Sequence, residues 1–104
     1  MVRLEDGIMT QEIYCYTNYY GMIRTSFFGV VRKTAKTAVI IELRREYVGE
    51  TDKNGWYNVK AGNKPAYDAK EIRASIREDG ALRFKQGGMM QTARLWNGQP
   101  EQNH

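Results

Sequence analysis

The fold of this chain is decided by residues 24–47, which read RTSFFGVVRKTAKTAVIIELRREY. Two apolar runs, residues 27–31 and 38–43, flank a short basic connection at residues 33–36. Aromatic and β-branched residues at this density favour strands over a helix. The stretch therefore predicts a β-hairpin.

The register of this hairpin depends on the length of its connection. Because side chains alternate between the two faces of a strand, a connection with an even number of residues places Phe28 opposite Ile41 and Val30 opposite Val39. An odd connection would place Phe28 opposite Glu42. We therefore expect the even register, with the four apolar side chains buried together on one face.

The opposite face of the hairpin is also apolar. On it Phe27 and Val31 meet Ala38 and Ile40, so both faces are partly covered, as in the strands of a small barrel. Gly29, between apolar strand residues, is typical of a bulge or a tight bend. A short barrel needs such a bend in order to curl.

The same hairpin carries a family likeness. The motif G-x-V at residues 29–31, followed about ten residues later by V-x-I at residues 39–41, resembles the first hairpin of SH3-like small barrels. The likeness covers under a quarter of the chain. It implies a small, curled antiparallel sheet or barrel.

Further strands are expected on both sides of the hairpin. Residues 11–17, QEIYCYT, alternate in a way that predicts a half-buried strand, and residues 18–21 predict a turn. Residues 48–59 predict a second hairpin because their centre is rich in turn-forming residues. A four-residue loop there would pair Val48 with Val59.

Residues 67–85 are open to two interpretations. As a helix, the segment begins with a capping box at residues 68–71. As two strands, it has a three-residue loop at residues 78–80, which pairs Ile76 with Leu82. We prefer the strands because the loop chemistry and the alternation of apolar residues agree, although residues 68–78 remain open between helix and strand.

The remaining segments are interpreted as connections and ends. Residues 61–66 predict a loop, and residues 86–91 predict a flexible connection. Residues 92–96 predict a short last strand that ends with Trp96 as a core plug closing the barrel. Residues 99–104 predict a polar tail.

The predicted fold class is all-β, or a β-rich α+β fold. It consists of a small antiparallel, SH3-like curled sheet or barrel of five to six strands with at most one short helix. We expect a flexible N-terminal segment at residues 1–10, a single small β domain at residues 11–98 and the polar tail at residues 99–104. Met9 is an alternative start of translation, since the first convincing strand begins just after it.

Composition argues against several classes of function. The 104 residues include one cysteine and one histidine. Cys15 therefore has no partner for a disulfide, and His104, the last residue, is poorly placed to act as a general base. A thiolate and imidazole metal site needs more ligands than these. We expect no enzymatic activity, no cofactor and no metal.

The chain also lacks the marks of membrane insertion or export. No apolar run approaches the roughly 20 residues of a membrane span. The first residues, VRLEDGI, are too polar and acidic for a signal peptide. We expect a cytoplasmic protein without a membrane partner.

Positive charge and aromatic residues point to a partner. Sixteen Lys and Arg against twelve Asp and Glu give a net charge of +4. The residues expected to contact phosphates are Arg32, Lys33, Lys36, Arg44, Arg45, Arg73, Arg77 and Arg83. If residues 72–85 are strands, Arg73, Arg77, Arg83 and Lys85 share one outer face. The residues expected to stack on bases are Tyr19, Tyr20 and Trp56.

Two classes of function fit this pattern. The first is a non-catalytic nucleic-acid-binding module, with single strands favoured because aromatic rings stack on bases while cations contact phosphates. The alternative is a protein-binding accessory or inhibitor module with an acidic partner, in which the aromatic residues are anchors. Size and composition are also typical of phage or plasmid proteins that act on a host nuclease or defence system.

Overall fold

The chain folds into eight β-strands. The computed structural model describes residues 12–104, and its strands are β1 (Ile13–Asn18), β2 (Arg24–Lys33), β3 (Thr37–Val48), β4 (Tyr57–Pro65), β5 (Ile72–Ile76), β6 (Leu82–Gln86), β7 (Met89–Leu95) and β8 (Glu101–Asn103). Across these residues no helix forms, and so none that is long and apolar enough to cross a membrane. The expected flexible segment at residues 1–10 and the alternative start at Met9 lie outside the described residues.

Six of the strands close a barrel. Their order is β2-β1-β7-β6-β5-β3, and β3 pairs with β2 to complete the ring, with every pairing antiparallel. In the interior, the rings of Phe28 and Phe84 meet edge to face with their centroids 4.9 Å apart. The buried interior residues are Tyr14, Phe28, Val30, Ala38, Ile40, Ala74, Leu82, Phe84 and Ala93. The predicted all-β class and small antiparallel barrel are confirmed.

The other two strands extend the sheet beyond the barrel. β4 pairs with the second half of β3, and β8 pairs with β4. A second apolar cluster forms among Cys15, Phe27, Leu43 and Val59, which are all buried. Trp96 is half-buried in this cluster, with its ring centroid 4.9 Å from that of Phe27. The prediction that Trp96 plugs the barrel is therefore wrong, because its indole packs against the second cluster outside the barrel.

The register of the central hairpin differs from the expected one. Phe28 lies opposite Glu42, Val30 lies opposite Ile40, and the register shifts between Val30 and Arg32. A bulge adds an unpaired residue to one strand. The expected register depended only on the number of residues in the connection. Because the bulge adds a residue within β2, the predicted pairs are wrong.

The bulge also exchanges the faces of β3. Since a slip of one residue turns every side chain to the opposite face, the barrel interior receives Ala38 and Ile40. Val39 and Ile41, which were expected there, are half-buried on the other side, and Ile41 packs against the second cluster.

The hairpin of β5 and β6 has the predicted register. Ile76 lies opposite Leu82, and Ala74 lies opposite Phe84. The turn between the strands contains Gly80 with a positive φ of 86°. The strand interpretation of this segment is confirmed, and the helical alternative is wrong.

The second predicted hairpin forms with a different register. Val48 lies opposite Asn58, not Val59. In the turn, the Asp52 carboxylate accepts the backbone N–H of Trp56 at 2.9 Å, and the Asp52 N–H donates to the Trp56 carbonyl at 2.9 Å. This side-chain contact shapes the turn in a way that loop length alone did not indicate.

Three segments expected to lack strands are part of the sheet. β4 continues through most of residues 61–66, which were predicted to be a loop. Residues 86–91, predicted to be a flexible connection, contain a tight turn in which Gly87 and Gly88 have φ angles of 60° and 81°, as a type I′ hairpin turn requires. Most of the strand predicted at residues 92–96 is part of β7, but it is not the last strand, because residues 101–103 form β8 where a polar tail was expected.

The C-terminal strand is attached to β2 by a buried side chain. Asn103 is fully buried, its Oδ1 accepts the N–H of Thr25 at 2.7 Å, and its Nδ2 donates to the Thr25 hydroxyl at 3.1 Å. The His104 N–H donates to the Ile23 carbonyl at 2.9 Å. These contacts place the end of the chain beside the start of β2.

Candidate nucleic-acid interface and barrel mouth

The barrel has two ends that carry different candidate residues. The hairpin end holds the β2–β3 connection, residues 34–36. The mouth is the opposite end, where the β1–β2 loop (residues 19–23) and the β6–β7 turn (residues 87–88) lie. Because β2 has ten residues and a strand rises about 3.3 Å per residue, the two ends are roughly 30 Å apart.

The structure divides the predicted phosphate-binding residues between these ends. Arg32, Lys33 and Lys36 lie at the hairpin end, at the close of β2 and in the connection. Arg44 and Arg45 lie in the second half of β3, toward the mouth. These five cations are therefore divided between the two ends of the barrel.

A group of cations stands on the outer face of β5 and β6. Arg83 lies opposite Ser75, and the same register continued by one residue places Arg73 beside Lys85. Arg73, Arg83 and Lys85 are all exposed, and none is ion-paired with any residue between 12 and 104. We call these three residues the basic face. Sequence alternation places Lys85 on this face, although it was not among the candidate contacts.

The neighbouring cations have acidic partners. The Arg32 guanidinium lies 3.4 Å from the Glu71 carboxylate, and the Arg77 guanidinium lies 3.8 Å from that of Asp79. Such exposed pairs contribute little to stability, yet each carboxylate offsets a positive charge. The three unpaired cations of the basic face should therefore attract an anion more strongly than Arg32 or Arg77.

Lys33 at the hairpin end is also paired. Its Nζ donates to both carboxylate oxygens of Glu12, at 3.1 and 3.3 Å. The hydrogen bond to Glu12 raises the pKa of Lys33 above its ordinary value. This ammonium is therefore already bound to a carboxylate before any phosphate approaches.

The predicted stacking residues lie at the mouth or are covered. Tyr19 and Tyr20 are 73% and 90% exposed, in the β1–β2 loop. Trp56 is half-buried, and its ring lies 4.4 Å, centroid to centroid, from that of His104. The two tyrosines thus lie at the rim of the mouth, whereas the cations of the basic face lie on β5 and β6.

A polar cleft opens at the mouth. Its volume is about 420 Å³, and its lining includes Asn18, Arg24, Glu42, Arg45, Gln86 and Gln91. The Gln86 amide donates to the Glu42 carboxylate at 3.3 Å. A smaller cleft of about 310 Å³ shares Glu42 and Gln86 and adds Tyr67. Arg24, Glu42 and Gln86 were not among the candidate contacts predicted from the sequence, because the strands that bring them together are distant in the chain.

A second cleft of similar volume lies at the hairpin end. It has a volume of about 420 Å³ and is lined by Arg32, Lys33, Thr34, Glu71 and Arg73 among others. Arg32 and Lys33 already pair with carboxylates, as described above. The cleft therefore adds only Arg73 to the cations that are available to a ligand.

The chemistry of the described residues limits what these surfaces do. Cys15 is fully buried, and burial raises the pKa of its thiol to about 11, so little thiolate forms at neutral pH. His104 Nε2 donates to the Asn54 carbonyl at 2.9 Å. Within residues 12–104, no three His, Cys, Asp or Glu side chains are grouped so that they could hold a metal ion.

Comparison with protein-family models, curated proteins and solved structures found no match to this chain. The two candidate surfaces are therefore described by the side chains that form them. The basic face offers three exposed cations on a sheet, and the mouth offers a cleft that contains both cationic and anionic side chains.

Proposed function

We propose that this protein is a non-catalytic module that binds the sugar-phosphate backbone of nucleic acid through the basic face. The observation that carries the proposal is the placement of Arg73, Arg83 and Lys85 side by side, exposed and without acidic partners among the described residues. Cations on such a surface attract phosphates and release their counterions.

The side chains around these cations support contacts to the backbone of nucleic acid and not to its bases. Arg83 lies between Ser75 and Thr92 on the neighbouring strands. The Ser75 hydroxyl donates to the Arg83 carbonyl at 3.3 Å, so the exposed Thr92 hydroxyl is the neighbouring group that can donate to a phosphate oxygen. Tyr19 and Tyr20 lie at the mouth instead. We therefore expect binding that depends little on sequence, falls with salt and does not require a single strand.

A protein-binding module is the second candidate, and exposed apolar side chains round the mouth favour it. Tyr19, Tyr20, Met22 and Met89 are all more than half exposed. Tyrosine and methionine are enriched at protein interfaces, where aromatic side chains serve as anchors. In this alternative the protein is an accessory or inhibitor module, and the arginines face an acidic patch of its partner.

Fluorescence anisotropy with labelled DNA tests the first proposal. The native protein is titrated into a duplex and a single strand of the same sequence at about 50 mM and about 200 mM salt. The double variant Arg83→Ala, Lys85→Ala should bind every sequence more weakly. Its plot of log affinity against log salt should be flatter, by about 0.9 for each duplex phosphate contact that is lost.

A matched double variant controls for net charge. Lys53→Ala, Lys64→Ala removes the same number of positive charges from exposed positions in the β3–β4 turn and β4, neither of which is ion-paired within residues 12–104. It should keep most of the affinity and the salt dependence of the native protein. Equal losses in the two double variants, or no binding by the native protein at low salt, would refute the assignment of the basic face.

A further inference from the structure

The mouth of the barrel contains two arginines that the proposed function does not use. Arg24 on β2 and Arg45 on β3 line the same cleft, and Arg45 is half-buried there. Neither guanidinium is ion-paired within residues 12–104, although the Glu42 carboxylate lines that cleft too. Two guanidinium groups in one cleft are suited to a phosphate, because each offers a planar set of N–H donors.

The Glu42 carboxylate is a hydrogen-bond acceptor at the base of the mouth cleft. Glu42 lies opposite Phe28, so its half-buried carboxylate stands at the top of the apolar barrel interior. The Gln86 amide donates to Glu42 Oε1 at 3.3 Å. An ionised carboxylate has about four lone-pair sites, so Glu42 can accept further hydrogen bonds from the N–H groups of a ligand.

The rim of the mouth supplies aromatic surface. Tyr19 and Tyr20 directly follow Asn18, which lines the cleft, and the Asn18 side chain accepts the N–H of Tyr20 at 2.9 Å. Tyr67, which is 94% exposed, lines the adjoining cleft. Aromatic rings bind planar bases by stacking. The cleft volume of about 420 Å³ is within the range that holds small ligands.

We propose that the mouth binds a nucleoside phosphomonoester, with the phosphate on Arg24 and Arg45 and the base directed toward Glu42. Guanine is the base that this acceptor fits best, because its Watson–Crick edge carries two adjacent N–H donors that one carboxylate can accept together. On the same edge adenine carries only one donor, its amino group, beside the acceptor N1, so a single carboxylate cannot accept a pair of hydrogen bonds from it. The site uses none of the residues of the basic face, so this proposal is independent of the proposed binding to the basic face.

Isothermal titration of the full chain with small ligands tests the site. The ligands are guanosine 5′-monophosphate, adenosine 5′-monophosphate, ribose 5-phosphate and inorganic phosphate. The guanine nucleotide should bind at least about tenfold more tightly than the adenine nucleotide, as expected for a paired set of hydrogen bonds to one base. Ribose 5-phosphate and inorganic phosphate should bind more weakly than either nucleotide.

Three variants assign the roles of the residues. Arg24→Ala, at an exposed position, should weaken both nucleotides and ribose 5-phosphate alike. Glu42→Gln, which keeps the size of the side chain, should remove the preference for guanine and leave ribose 5-phosphate unchanged. Arg83→Ala on the basic face should leave every ligand unchanged, and the circular dichroism spectrum of each variant should match that of the native protein.

Oligonucleotides with a 5′-terminal guanosine distinguish a free nucleotide from the end of a strand. They are compared with and without a 5′-phosphate in the background Arg83→Ala, Lys85→Ala, so that the basic face does not contribute. A gain from the phosphate that Arg24→Ala abolishes supports a strand end as the ligand, whereas binding of only the free nucleotide supports a mononucleotide. The site is refuted by an absence of nucleotide binding, by equal binding of the guanine nucleotide and ribose 5-phosphate, or by nucleotide binding that survives both Arg24→Ala and Glu42→Gln.

Discussion

Replacing Asn103 by Ala is expected to detach the C-terminal strand from the barrel. The Asn103 side chain accepts the N–H of Thr25 at 2.7 Å and donates to the Thr25 hydroxyl at 3.1 Å and to the Glu101 carbonyl at 3.4 Å. Both Asn103 and Thr25 are fully buried. Without the amide, the Thr25 N–H therefore loses its partner in a place that water does not reach.

The size of the effect follows from these contacts. An unsatisfied buried donor costs about 1–3 kcal/mol, and the loss of the hydrogen bond to the Thr25 hydroxyl costs about 1 kcal/mol more. We expect the free energy of unfolding to fall by roughly 2–4 kcal/mol, a large share of the about 5–15 kcal/mol of a typical domain. At about 4–8 °C per kcal/mol for a domain near this size, Tm should fall by about 10 °C or more.

Urea unfolding followed by tryptophan fluorescence measures this loss. Asn103→Leu keeps the number and branching of the side-chain heavy atoms but removes the hydrogen bonds, so it should be almost as unstable as Asn103→Ala. Gln102→Ala, at the exposed neighbouring position of β8, should remain within about 0.5 kcal/mol of the native protein. A stability of Asn103→Ala within that same margin, or its full recovery in Asn103→Leu, would show that these hydrogen bonds do not hold β8.

Three further predictions concern buried positions in or next to the second cluster. In Gly62→Ala, the new Cβ would lie 3.0 Å from the Arg44 carbonyl oxygen. Overpacking of this kind should lower the free energy of unfolding by about 1–3 kcal/mol, measured in the same urea assay. An unchanged midpoint of unfolding would contradict the close approach of β3 and β4. Cys15 should react with iodoacetamide at pH 8 only in urea, because burial raises the pKa of its thiol to about 11, and rapid modification of the native protein would contradict its burial. Since the thiol pKa is higher in the folded than in the unfolded chain, the protein should also lose stability as pH rises from the ordinary thiol pKa toward 11.

The sequence contains enough information to locate most strands and one register. Ile76 and Leu82 pair as predicted because the turn residues between them, including Gly80, specify the geometry of a short hairpin. The same alternation places Arg83 and Lys85 on one outer face. Features of this kind depend on residues that are close in the chain, so local turn chemistry and the two-residue period of a strand are sufficient to predict them.

Other features depend on partners that are far apart in the chain. The bulge between Val30 and Arg32 exchanges the faces of β3. Gly29 indicates a bulge or a bend in this strand, but it does not specify the position that decides the register. The polar residues at the C-terminus form β8 because the Asn103 side chain hydrogen-bonds to Thr25, which lies 78 positions earlier in the chain. Weak intrinsic strand preference is overridden when tertiary neighbours supply hydrogen bonds and burial.

The two candidate sites differ in the same way in how far the sequence predicts them. The basic face is visible in the sequence, since its cations alternate with buried residues on two adjacent strands. The mouth is not, because Arg24, Glu42 and Gln86 come from β2, β3 and β6 and meet only when the barrel closes. Local periodicity determines which way a side chain points from its strand, whereas closure of the sheet decides which distant side chains it meets.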